Sequence, residues 1–98
     1  MKIRILSPAE EDLEEGYLFY DSQSPGLGSY FLNCLYSDID SLTYFGGIHP
    51  IILRFHRLLS KRFPFAVYSR VIEDTAVVFA VLDCRRNPSW VRKRLMKD

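Results

Sequence analysis

Polar and apolar residues alternate over Lys2-Ile3-Arg4-Ile5-Leu6, the pattern of a strand with one buried face. The period then changes. Ser7-Pro8-Ala9-Glu10 offers an N-cap, a proline at the first helical position and a capping-box glutamate, and Leu13, Tyr17 and Tyr20 follow at helical spacing. Asp21 to Gly26 is a turn cluster, after which Leu27, Phe31, Leu35, Ile39 and Leu42 mark a second amphipathic helix. The short connection predicts an antiparallel helical hairpin, ended by Gly46-Gly47 and His49-Pro50.

From Ile51 onward the pattern is that of strands. Ile51 to Leu59, Phe63 to Ile72 and Thr75 to Leu82 are rich in β-branched and aromatic residues, with Glu73-Asp74 as a tight link between the last two. The third run has no polar face, as expected of a central strand covered on both sides. After Asn87-Pro88-Ser89, the segment Trp90 to Met96 reads as a short C-terminal helix. The order β-α-α-β-β-β-(α) predicts an α+β fold, an antiparallel sheet with the N-terminal helical hairpin packed on one face.

The chain has 98 residues, 48% of them apolar, which suffices for one core and not for two, so residues 1–98 are expected to form a single domain. No stretch approaches the roughly 18 uncharged apolar residues of a membrane span, and Ser7-Pro8 comes too early for a signal-peptide core. The cytoplasm is the expected compartment, with no membrane partner. Cys34 and Cys84 have no ligand-spaced companions, so no metal, cofactor or disulfide framework is suggested, and both are expected to be buried or half-buried thiols.

The net charge of +1 conceals a segregation. Residues 1–50 hold two basic and eight acidic side chains, a net of −6, whereas residues 51–98 hold eleven basic and four acidic, a net of +7. If each half occupies its own face, the second presents a cationic field suited to a polyanion or an acidic protein. The alternative is that the charges pair across the fold and cancel.

The sequence contains no phosphate-binding glycine loop, no His-Glu-x-x-His and no nucleophile elbow. His49 reads as a loop residue. His56 lies among cations in a strand and is a general-base candidate, or else a plain surface or packed histidine. In a meander the end of the last strand lies beside the start of the previous one, so Lys61, Arg62, Arg85 and Arg86 can converge near Trp90. A cation cluster beside an aromatic suits a phosphate-plus-base surface. Trp90 reads equally as a plug holding the C-terminal segment on the sheet.

The run from Arg57 to Val71, with Phe63-Pro64-Phe65 before a strand, and the run from Val77 to Trp90, with Arg85-Arg86-Asn87-Pro88-Ser89-Trp90 after the last strand, resemble the RelE/ParE superfamily of toxins from bacterial type II toxin–antitoxin systems. Ala9 to Leu13, Tyr17, Tyr20, Leu27-Gly28 and Phe31 fit the N-terminal pattern of that family. The resemblance implies a small plasmid-stabilization-type toxin, neutralised by an antitoxin whose C-terminal segment wraps it, for which Leu18 and Phe19 on the outer side of the hairpin are candidate contacts.

Family members are either ribosome-dependent mRNA endonucleases or ParE-like toxins that block DNA gyrase. In the ribonuclease reading, Arg86 takes the place of the strand-end arginine, Arg54 and His56 that of a pair of strand lysines, and the ribosome and mRNA are the partners. However, Ala66 stands where the ribonucleases carry an arginine, and no Tyr or His follows Tyr68. In-line attack by a 2′-hydroxyl needs both proton transfer and charge neutralisation. The expectation is therefore a ParE-like toxin without nuclease activity that binds its target through Lys61, Arg62, Arg85, Arg86 and Trp90, with gyrase the candidate target. A degenerate toxin that retains only antitoxin binding is the third reading.

Overall fold

In the computed structural model, which describes residues 1–96, the chain runs β1 (Lys2–Ile5), α1 (Ser7–Gln23), α2 (Leu27–Asp40), α3 (Leu42–Phe45), β2 (Ile51–Ile52), β3 (Phe55–Leu59), β4 (Phe65–Ile72), β5 (Thr75–Asp83) and α4 (Pro88–Leu95). The strands form one five-stranded sheet in the order β1-β5-β4-β3-β2. β2 to β5 form an antiparallel meander. β1 joins β5 in parallel, as a strand can when helices carry the chain back across the sheet, so the sheet is mixed.

The helical hairpin covers one face. Leu13, Phe31, Leu35 and Ile39 are buried there against Phe65, Val67, Ala76, Val78 and Val81. Each such large side chain contributes roughly 1.5–3 kcal/mol by leaving water. The hairpin closes tightly because Asp21 Oδ1 accepts the Gly26 and Gly28 N–H groups at 3.0 and 3.2 Å. At Gly28 the helices approach backbone to backbone: a Cβ there would lie 2.6 Å from the Tyr17 carbonyl oxygen.

The opposite face carries a second core of Phe55, Ala66, Tyr68, Ala80, Leu82 and Leu95, with Trp90 and Val91 packed on it from α4. β5 is thus covered on both sides, as its unbroken apolar run suggests. A register irregularity between Tyr68 and Ser69 places Phe79 opposite no residue of β4, and both Phe79 and Ala80 pack on this second core. Asn87 caps α4, its Oδ1 accepting the Ser89 N–H at 2.8 Å.

Three local expectations are corrected. The cap of α1 is Leu6, not Ser7, and no side chain caps it: Leu6 stays extended by donating to the Val78 carbonyl, while its own carbonyl accepts from Ala9 and Glu10. The second helix ends at Asp40, and Leu42 is buried from α3 instead. The run Ile51 to Leu59 is a hairpin, folded at Leu53-Arg54, both with left-handed φ (51° and 72°). No Gly or Asn announces that turn. Leu53 packs on the second core and the Arg54 carbonyl accepts from Arg70, which together hold a strained conformation.

Candidate functional site

Register brings the chemistry together on the face opposite the hairpin. Arg57 of β3 pairs with Tyr68 of β4. Their side chains, with Cys84, Arg86 and Arg92, line a groove of about 470 Å³ bounded by β2 and α4. Tyr68 is buried, and that burial holds its hydroxyl above the usual tyrosine range against the pull of the neighbouring Arg57 guanidinium. Arg57 Nε is buried with no hydrogen-bond partner among the described residues. Burial likewise pushes the Cys84 thiol up, with Arg57 opposing. Cys84 was expected to be buried or half-buried, but as a residue it is exposed, at the rim of the groove, whereas Cys34 is half-buried.

Arg86 stacks on Trp90, its guanidinium carbon 4.3 Å from the ring centroid. Trp90 is half-buried against the second core, so one side of the indole holds α4 down and the other lies under an arginine. A guanidinium fixed over a ring presents its edge donors outward, the geometry that chelates carboxylate or phosphate. Arg86 and Trp90 also line a groove of about 270 Å³ that reaches Phe19 on α1.

The charges separate across the sheet only in part, since Arg86 shares the 270 Å³ groove with Asp12 and Glu15 of α1 and with Asp83. Arg54, Arg57, Arg70, Arg86 and Arg92 line grooves of the second face. Glu10, Glu11, Glu14 and Glu15 are exposed on α1. Among the described residues, one ion pair joins the two halves, Arg94 with Asp12.

The residues singled out from the sequence fall into groups. Lys61 and Arg62 are exposed on a loop at the end of the sheet. That loop is pinned to α2 by Ser60 Oγ donating to Asp38 at 2.7 Å, and packed by Phe63 against Tyr20. The Cys84 N–H donates to the Pro64 carbonyl at 2.7 Å, so Arg85 is at the same end, but its guanidinium is paired with Asp83 at 2.8 Å. Arg86 and Trp90 turn instead to the second face. Arg54, His56 and Arg86 are not brought together. Arg54 sits in the β2–β3 turn, and His56 alternates to the hairpin side of the sheet, its Nδ1–H donating to the His49 carbonyl at 2.7 Å. Leu18 and Phe19 are 60% and 50% exposed on α1.

Sequence reasoning missed Arg57, Tyr68 and Arg92 as a group. Strand alternation alone places Arg57 on the same face as Phe55. What hides the pairing is the β3–β4 register, closed through the 60–64 loop by Ser60 N–H donating to the Phe65 carbonyl at 2.8 Å, which no sequence pattern announces.

The sequence matches no family model and no curated protein. Among solved structures, the fold is similar to a chain described as the chromosomal ParDE TA system from P. aeruginosa, with a TM-score of 0.75 at 16% identity over 83% of this chain and 92% of that one. The likeness establishes the fold: an α+β, ParE-like arrangement of a mixed five-stranded sheet and a helical hairpin.

Proposed function

We propose that this chain is a ParE-like toxin of a type II toxin–antitoxin system, acting in the cytoplasm by gripping a macromolecular target and neutralised by a cognate antitoxin. The observation that carries this reading is the arginine-lined groove of Arg57, Arg86 and Arg92 on the face opposite the acidic hairpin. The similarity in fold to a ParDE chain supports it.

Binding without cleavage is favoured by what surrounds those arginines. Ala66 contributes no cation, and His56 belongs to the other face. Tyr68, the one hydroxyl-bearing ring beside Arg57, is held protonated by burial and so is poorly placed to remove a proton near neutrality. DNA gyrase is the target to test first.

Induction of the chain alone should arrest growth, and co-expression of its antitoxin should relieve the arrest. Purified chain should reduce the supercoiling of relaxed plasmid by gyrase. New mRNA ends on primer extension would replace this reading with ribosome-dependent cleavage. Unimpaired growth would leave a chain that only binds antitoxin.

A further inference from the structure

The end of the sheet at the β4–β5 turn carries an open apolar surface, and none of its residues lines the grooves described above. Tyr44 and Phe45 close α3 with their rings edge to face, 6.5 Å between centroids, and the Ile48 N–H donates to the Phe45 carbonyl at 3.2 Å. The glycines between them lie against two further apolar side chains: a Cβ on Gly47 would stand 3.3 Å from Val71 Cγ2, and one on Gly46 would stand 2.6 Å from the Met1 sulfur. Met1, Tyr44, Phe45, Ile48 and Val71 therefore form one patch, and all five are exposed, Tyr44 at 84% and Ile48 at 69%. At roughly 200 Å² for a large side chain, they leave about 550 Å² of apolar surface in water. That is at the upper end of what a soluble monomer leaves open.

The rim of the patch carries both signs. Lys2 pairs in register with Thr75 and its N–H donates to the Asp74 carbonyl at 3.2 Å, so it stands beside the exposed Glu73 and Asp74. Among the described residues no ion pair engages any of the three. An acidic partner would meet repulsion from the two carboxylates as well as attraction from Lys2. A second copy related by a two-fold axis instead sets Lys2 of each chain against Glu73 of the other, with apolar patch on apolar patch. We propose that this end is a self-association surface through which two copies of the chain pair isologously. Patch and rim together approach the roughly 800 Å² per partner of a standard interface. β5 runs away from this end, so Arg86 and Trp90, which follow it, stay open in the pair. The pairing therefore stands whether or not the toxin reading does.

Sedimentation velocity on the purified full chain between about 1 and 100 µM tests it: the unaltered chain should pass from monomer to dimer across that range, with no larger species. Tyr44→Ser with Ile48→Ser should weaken pairing by about tenfold or more, whereas Leu18→Ser with Phe19→Ser should change it by less than about twofold. Lys2→Glu or Glu73→Lys alone should weaken it by about threefold. The two in one chain should restore most of it, because each contact is then made with its signs exchanged. Circular dichroism checks that each variant folds. A chain that stays monomeric throughout, or pairing undiminished in a folded Tyr44/Ile48 variant, would overturn the proposal. Failure of the double exchange to restore pairing would overturn the two-fold arrangement.

Discussion

Asp12, in the second turn of α1, and Arg94, on α4, hold one another through two hydrogen bonds of 2.7 and 2.8 Å across 82 positions of sequence. The same carboxylate accepts the Val81 N–H at 3.0 Å. β1 ends opposite Val78, so beyond it β5 has an open edge, and Asp12 supplies the acceptor that a longer strand would have given. One acidic side chain of the hairpin thereby joins a helix, a strand edge and the C-terminal helix. Removing it leaves a half-buried guanidinium and a buried N–H without partners. Asp12→Ala should destabilise the fold by about 2–4 kcal/mol, and Arg94→Met by less, since Asp12 then keeps the Val81 N–H. Urea unfolding of the two variants measures the difference. Equal losses would mean that the Val81 bond contributes little.

The hairpin crossing gives a steric expectation. A methyl group at Gly28 would meet the Tyr17 backbone carbonyl, which cannot swing away as a side chain does. Gly28→Ala should therefore cost about 1–3 kcal/mol despite the better helix propensity of alanine. Thermal unfolding monitored by circular dichroism reads it directly.

The β4–β5 turn gives the opposite sign. Glu73 and Asp74 both adopt left-handed φ, at 49° and 62°, where glycine is unstrained. Asp74→Gly should stabilise the chain by about 0.5–1 kcal/mol, seen as a raised Tm. A lowered Tm would mean that the aspartate side chain supports the turn.

Asp83 fixes a pH dependence. Hydrogen bonds from Arg85 hold its carboxyl below the usual aspartate range. A depressed folded-state value stabilises the fold above the ordinary carboxylate pKa near 4, and that contribution is lost as pH falls through the depressed value. Because the pair is largely exposed, the effect is small. Asp83→Asn should leave a shallower loss of stability below about pH 4 than the unaltered chain shows. Parallel acid titrations would expose a carboxylate that contributes nothing.

Much of this architecture is legible in the sequence because it is local. The spacing of Phe31, Leu35 and Ile39 specifies a buried helical face, and the apolar run Thr75 to Leu82 specifies a strand covered twice. What escapes reading is set by distant partners. Asp12 looks like one more carboxylate at a helix start until Arg94 and Val81 arrive beside it. Leu53-Arg54 carries no turn signature because tertiary contacts stabilise its backbone. That turn takes Arg54 out of the strand, and the β3–β4 register sets Arg57 against Tyr68, so the sequence leads to Arg54 and His56 where the fold places Arg57 and Arg92 beside Arg86. The segregation of charge along the chain, by contrast, is visible from counting alone, but the fold keeps the two signs apart only in part: Asp12 pairs with Arg94, and Glu15 shares a groove with Arg86.

The most direct measurement of the central claim is growth after induction of the chain bearing Arg86→Glu and Arg92→Glu together, beside the unaltered chain and a Lys61→Glu/Arg62→Glu chain, with folding checked by circular dichroism. The expected result is arrest by the unaltered chain, release in the Arg86/Arg92 variant, and arrest largely kept in the Lys61/Arg62 variant. Undiminished arrest by a folded Arg86/Arg92 variant would contradict the account, because the groove on the second face would then not be the surface that grips the target.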